Sequence, residues 1–427
     1  MTSNGNIPIE PFRILERTAP GMLGVADLSG EIRQRLSGLG LPHDKLSGRR
    51  IAVTAGSRGI ADLKEIVKAI CDWLKDQGAR PFVIPAMGSH GGATAEGQRA
   101  VLAEYGVTPE SVGVEIKSDM ATVHLGETPE GFQVFVDRNA WEADGIVVMN
   151  RIKPHTDFTG KIESGLSKVI TVGMGKRDGA SETHHWSRKF GYERVIRAIS
   201  AVTLSKGKIL CGLGVVENEF HQIAAVRAAL AEAIPALEEA TLPLARSLVP
   251  RIPFSQFQLL MVNEMGKNIS GTGLDTKIIG RGLKLQAGEA PEIGLIYVRD
   301  LTAESGGNAT GIGFVDLMHE RLYRKIDLPT TYVNVQTSLN PLAARLPMYT
   351  SSDRVALGLA LGNLGSPGPG EQRIVWIQNT LGLNRIAVTA SLAGEAAELS
   401  GWRLAPPDYS IQFDEEGNLT SSFLESE

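Results

Sequence analysis

The sequence predicts an α/β protein of two α/β domains with a cleft between them, the N-terminal one built on a mostly parallel sheet, and three observations carry that expectation. Short apolar runs alternate with amphipathic segments through the first half of the chain, the pattern of strand, helix, strand crossovers. A proline-bearing stretch, TLPLARSLVPRIPF, interrupts both periodicities near the middle. Beyond it the alternation restarts, and 427 residues are enough to bury two independent cores.

RRIAVTAG reads as a buried strand. DLKEIVKAICDWLKDQGA follows as a helix, with Leu63, Ile66, Val67, Ile70 and Leu74 on one face and Gly78 closing it. RPFVIPAMG is a second strand, so the unit is a crossover whose ordinary form is parallel and right-handed. TAEGQRAVLAEYGV supplies the next helix, capped by Thr94, and GFQVFVD, ADGIVVMN and KGKILCGLGVV supply further strands. QIAAVRAALAEAIPALEEA reads as helical until the prolines make a linker, which places the domain boundary near Val249 and the domains at 1–248 and 249–427. In the second domain QFQLLMVNEMG, EIGLIYVRDL, TTYVNVQTS, QRIVWIQN and NRIAVTASL are strand-like, and GIGFVDLMHERLYRKI is helical. The polar end, DEEGNLTSSFLESE, is expected to fray.

A net charge of −5, with 42% apolar and 21% charged residues, fits a globular protein with a small-molecule partner and gives no reason to invoke nucleic acid. The apolar runs GIVVMN and QLLMVN fall far short of the roughly 20 residues a membrane span needs. MTSNGNIPIEPF lacks the basic start and apolar core of a signal peptide, so the expected location is cytoplasmic. Cys71 and Cys211 stand far apart and read as small core residues, not as a disulfide or a thiolate cage.

Chemistry gathers where strands end, because ligands of open parallel sheets bind beyond the carboxyl ends of the strands. Ser57 and Arg58 follow the first strand; Ser89, His90, Gly91 and Gly92 follow the second; Arg151, Lys153 and His155 follow GIVVMN. An arginine can grip a carboxylate with two parallel hydrogen bonds, and a neutral imidazole can take or return a proton. A single loop histidine commonly does no more than bond a nearby backbone group. Histidines at successive strand ends make a site the better reading. Downstream, ESGLSKVITVGMGKRDGA holds Gly173, Gly175 and Gly179 at a spacing that misses the dinucleotide pattern by one residue. Lys168, Lys176 and Arg177 could hold a phosphate or form a solvated basic turn, and a desolvated lysine can act as a nucleophile. His184 and His185 offer imidazoles to nickel, copper or zinc, but without an acidic or thiolate partner at ligand spacing they define no all-protein metal site.

Taken in order, SRG, PAMGSHGGAT, KPHTDFTGKIESGLSKVITVGMGK and the following HH resemble the nickel-dependent lactate racemases and their wider group of 2-hydroxy-acid racemases and epimerases, of which this chain looks like a divergent member. NEMGKNISGTGLDTKIIGR, from Asn263, also resembles a motif of that group. The resemblance covers most of the chain. It implies an isomerase that inverts C2 of a 2-hydroxy acid by hydride transfer to and from a nickel-pincer nucleotide, a nickel pyridinium-3,5-bisthiocarboxylic acid mononucleotide derivative tethered to a lysine. It further implies that Lys168 is the tether and that His184, with His185 its immediate rival, binds nickel. His90 and His155 would be the two acid/base groups, Arg58 the carboxylate holder, and Ser57, Gly91 and Gly92 cofactor contacts. Residues 1–248 would then bind cofactor and carry catalysis, 249–427 would close the cleft, and the partners would be a carboxylate substrate and the cofactor-building enzymes. Two departures stand out. Ala55-Gly56-Ser57-Arg58 replaces the family's Asp-x-Thr-Arg and so lacks an acidic contact, and the interval from His155 to Lys168 is longer, which predicts a displaced His155. The competing readings are a zinc-type hydrolase or lyase that uses Lys168 as an anion clamp, and a non-catalytic nucleotide-binding protein of the same fold.

Overall fold

The computed structural model describes residues 8–56, 59–156, 158–282, 291–338 and 340–420. Its contacts divide the chain into a unit of Gly21–Val249 and a second that joins the described part of Met1–Pro20 to that of Pro250–Glu427. The first strand, β1 (Phe12–Arg17), explains the split assignment. It pairs antiparallel with two strands near the far end of the chain, and Phe12 and Leu15 are fully buried there. The expected first domain of 1–248 therefore gives its opening residues to the second unit, a pairing that no local pattern announces.

In the Gly21–Val249 unit the strands are β2 (Arg50–Ala55), β3 (Arg80–Pro85), β4 (Thr122–Glu127), β5 (Gln133–Asp137), β6 (Gly145–Arg151), β7 (Ile209–Glu217) and β8 (Ile223–Leu230). β4 and β5 form a separate antiparallel pair, while the main sheet has the order β3-β2-β6-β7-β8. Its first four strands run parallel, and β8 closes the edge antiparallel to β7. Because β2 leads outward to β3 on one side and β6 to β7 on the other, the winding reverses between β2 and β6. The carboxyl ends of those two strands flank the crevice where such sheets bind ligands. The helix Leu63–Asp76 buries the predicted face of Leu63, Ile66, Val67, Ile70 and Leu74. Each such side chain contributes roughly 1.5–3 kcal/mol by leaving water.

The structure corrects the reading of QIAAVRAALAEAIPALEEA. Its first part is β8, held by the ladder to β7, and only Ile234–Leu248 is helix. Pairing along an open sheet edge overrides the helix preference of an alanine-rich run. The first part of the expected proline linker is also helical, since Ile234–Leu248 continues through Pro243, and only 249–254 lies outside the helix.

The second unit adds β9 (Gln256–Met265), β10 (Glu292–Leu301), β11 (Leu317–His319), β12 (Met348–Thr350), β13 (Ile374–Ile377), β14 (Arg385–Thr389) and β15 (Trp402–Tyr409). They make an eight-stranded sheet in the order β12-β11-β10-β9-β13-β14-β1-β15. Asn263, from the motif noted above, is a buried brace: its Oδ1 accepts from Arg299 Nη1 and Trp376 Nε1, each at 2.7 Å. TTYVNVQTS, read as a strand, lies instead in the helix Leu328–Thr337, where the Asp327 carboxylate caps the Thr330 amide at 3.0 Å. GIGFVDLMHERLYRKI, read as one helix, breaks into a short turn, β11 and the helix Glu320–Lys325.

Cys71 and Cys211 are buried free thiols, and burial pushes both up to about 12. Among the described residues no helix is long and apolar enough to cross a membrane. Of the end expected to fray, 421–427 lies outside the described residues; before it, Phe413 bridges to Leu419.

Candidate functional site

β6 delivers its last residues to the switch crevice, and the chain then makes a closed excursion. Lys153 N donates to Ser164 O at 2.9 Å and Ser164 N returns to Lys153 O at 3.1 Å, pinching off the residues between them. The long interval between His155 and Lys168 is absorbed by this excursion, and the two side chains meet, with His155 Nε2 at 2.5 Å from Lys168 Nζ.

A buried carboxylate holds the excursion from inside. Glu163 accepts from the His155 backbone N–H, from Gly160 N at 3.3 Å and from the Arg246 guanidinium, which also donates to Gly160 O at 2.7 Å. One charged pair thereby fixes the backbone on both sides of the loop, and charge-assisted bonds of this kind are about twice as strong as neutral ones. The His155 ring packs on Phe158 at 4.6 Å between centroids and on Tyr192 at 6.0 Å. Phe158 stacks on Tyr192 at 5.1 Å, and Phe158 joins Ile162 and Ile196 in a small apolar cluster. An imidazole wedged this way has few rotamers left, so Nε2 stays directed at its partner.

Lys168 is equally well presented. It ends a short helical segment, Leu166–Lys168, that continues into a π-helical turn, Val169–Gly173, a form frequent at functional sites. Glu238 caps the start of that segment, accepting from the Ser167 amide at 3.1 Å and from the Ser167 hydroxyl. Burial pushes the Glu238 carboxyl up to about 6, against the lowering effect of its bonds from Ser167 and Leu166. The approach is so close that a Cβ at Gly165 would stand 2.0 Å from Glu238 Oε1, which is why glycine precedes the segment.

His184 and His185 lie in the helix Lys176–Phe190. Adjacent helical residues diverge by about 100°, and the two histidines do so here. His184 Nδ1 hydrogen-bonds the Tyr192 hydroxyl at 3.0 Å, whereas His185 is exposed and sets its ring edgewise on Trp186 at 5.0 Å. His155, Lys168 and His184 therefore gather around Tyr192 and Phe158. Among the described residues no group of three or more His, Cys, Asp or Glu side chains is placed to hold a metal ion.

The His90 loop is tied to the same turn through its backbone. Gly88 N donates to Gly173 O at 3.1 Å, and Gln98 Nε2 donates to Gly88 O at 2.8 Å and to His90 O at 3.3 Å. Gln98 in turn accepts from Lys176 Nζ at 3.0 Å. Lys176, read as a phosphate holder or a solvated turn, is fully buried and forms an ion pair with Asp137 at 2.9 Å. Its task is to brace the loop after β3. Gly91 is needed for packing, because a Cβ there would lie 2.5 Å from the Gly97 carbonyl carbon; one at Gly92 would meet no atom within 4 Å. Arg151 pairs with Glu217, which also accepts from Ala61 N at 2.8 Å. Ser57 and Arg58 lie outside the described residues. Ala55, where the resemblance leads one to expect an acidic residue, is fully buried in the core of the unit.

Sequence reasoning missed Glu163, Tyr192, Arg246 and Glu238. Only Glu238 left a signal: with Ile234, Leu242 and Ala245 it falls on the buried face of its helix, where an unpartnered carboxylate would be costly.

Residues 49–190 match the family model described as the lactate racemase N-terminal domain. The lactate racemase apoprotein from Thermoanaerobacterium thermosaccharolyticum superposes with a TM-score of 0.51 at 15% identity, over 83% of this chain and 92% of that one. A protein from Thermotoga maritima superposes with a TM-score of 0.52 at 16% identity, over 76% and 84%. At such identity these two structures speak for the fold alone. No curated protein sequence matches.

Proposed function

We propose, from the premise that residues 49–190 make this chain a lactate racemase-like protein, that it is a racemase or epimerase acting at the hydroxyl-bearing C2 of a 2-hydroxy acid. The observation that carries the reading is the gathering of Lys168, His155 and His184 about Tyr192 and Phe158. The donor chemistry fits a nickel-pincer nucleotide. Such a group would bring its own nickel and would ask the protein for one amine and one imidazole, so Lys168 and His184 would suffice. Lys168 would hold it covalently and His184 would supply the nitrogen ligand, with Ser57, Gly91 and Gly92 as candidate contacts. When bound, the group supplies a place for a hydride to go and return from.

This chain's residues do the rest. His155, fixed by Glu163 and the aromatic stack, takes the hydroxyl proton on one face of C2, and His90 serves the other, since inversion needs a base on each. Arg58 grips the carboxylate so that the carbonyl formed at C2 can turn without leaving. The packed rings of Phe158 and Tyr192 keep water from part of the site. The partners are the carboxylate substrate and the enzymes that build the cofactor, and the setting is the cytoplasm. The test is a substrate deuterated at C2, drawn from a panel of 2-hydroxy acids that includes sugar-derived ones. The reading predicts racemisation or epimerisation with most label retained and a primary isotope effect; complete loss of label to solvent would overturn it.

A further inference from the structure

We infer that His155 has an earlier task than turnover: it is the proton acceptor that lets Lys168 be acylated, so that this chain promotes its own covalent modification by an activated carboxyl compound. The observation is the 2.5 Å contact between His155 Nε2 and Lys168 Nζ. A hydrogen bond between two nitrogens requires one to donate and the other to offer a lone pair, so the imidazole is placed to accept a proton from the amine. Everything around the pair restricts it to this geometry. Glu163 and Arg246 hold the His155 backbone, Phe158 and Tyr192 hold its ring, and Glu238 fixes the segment that carries Lys168. Lys168 is half-buried yet reachable, unlike the sealed Lys176.

The step balances as follows. The Lys168 amine attacks the carbonyl carbon of an acyl phosphate, acyl adenylate or thioacid, and a C–N bond forms. The nitrogen, having spent its lone pair, becomes strongly acidic and passes a proton to His155 Nε2. The bond from the carbonyl carbon to the leaving group then breaks, and the leaving group departs with the electron pair. No oxidant or reductant is needed. Until that step occurs the lysine occupies the imidazole nitrogen that turnover would use. The identity of the natural acyl donor rests on the proposed function; the reactivity of the pair does not.

The experiment uses the full chain made without any cofactor pathway, treated with limiting N-acetoxysuccinimide and followed lysine by lysine by peptide mass spectrometry. Positioned general bases contribute about 10²–10⁴-fold. Lys168 is therefore expected to acetylate at least about 10-fold faster than the exposed Lys45 and Lys64, even after allowing for its partial burial. His155→Ala and His155→Gln should remove that advantage and leave the rates at Lys45 and Lys64 unchanged. Lys176 reports on folding, since it stays unlabelled while the unit is intact. A wild-type Lys168 no faster than Lys45 and Lys64, or an undiminished rate in both variants with Lys176 still protected, would overturn the inference. A parallel preparation made with the cofactor-building enzymes separates the two ideas. A full adduct on Lys168 in His155→Gln would leave the cofactor reading standing and remove this one, whereas fast acetylation of wild type without any adduct would do the reverse.

Discussion

Lys168 and Lys176 stand one helical stretch apart in the same glycine-rich segment, and the structure gives them opposite work. Lys168 is half-buried, ends a capped turn and touches an imidazole. Lys176 is sealed at 0% exposure against an equally buried Asp137, and its amine also donates to Pro85 O at 2.5 Å and to Gln98 Oε1 at 3.0 Å. One lysine stays half-buried beside an imidazole; the other holds the loop that carries His90. Charge and glycine content mark both positions alike, so what separates them is the partner that tertiary packing brings to each.

The sharpest way to break the comparison is on the reactive side. His155→Ala and His90→Ala should each lower turnover on the true substrate by about 10²–10⁴-fold, the usual worth of a positioned acid or base. Steady-state rates within a factor of two of wild type in both would empty the site of its assigned chemistry. On the structural side, Lys176→Met leaves the Asp137 carboxylate buried without its cation. Burial already raises that carboxyl above its ordinary range despite the lysine. Removing one member of such a pair costs about 3–5 kcal/mol, to be read from urea unfolding.

Glu238 sharpens the picture from below Lys168. Its folded-state value of about 6 lies above the ordinary 4.5, so its favourable contribution is complete below pH 4.5 and is lost as pH rises through about 6. Relative to Glu238→Gln, wild type should therefore lose about 2 kcal/mol of unfolding free energy across that window. A difference that is flat or rising with pH contradicts the burial argument. Smallest of all is Lys168→Met in the cofactor-free protein, which should change stability by less than about 1 kcal/mol. A loss as large as that of Lys176→Met would erase the contrast between the two lysines.

The sequence exposed the parts of this arrangement that local pattern determines. β2, β3, β6 and β7 are apolar runs buried on both faces, and the helix Leu63–Asp76 carries its apolar stripe at helical spacing. The ends of β3 and β6 named His90 and His155, whereas Lys168 came from the glycine-rich segment and the resemblance it carries. Hidden were the features set by distant contacts. β1 finds its partners in β14 and β15 across the whole length of the chain. β8 is a strand because β7 offers an edge, and Leu328–Thr337 is a helix despite its β-branched residues because Asp327 caps it. Arg246 reaches Glu163 from a helix 83 positions away, and nothing near either residue foretells the meeting. His184 and His185 are indistinguishable in one dimension; the Tyr192 hydroxyl on one and Trp186 on the other tell them apart.

The most direct measurement of the central claim is intact and peptide mass with metal analysis on protein made together with the cofactor-building enzymes. The account predicts an added mass on Lys168 and none on Lys176, with nickel present in wild type, largely lost in His184→Ala and largely kept in His185→Ala. An active, nickel-free preparation in which Lys168 is unmodified would contradict it.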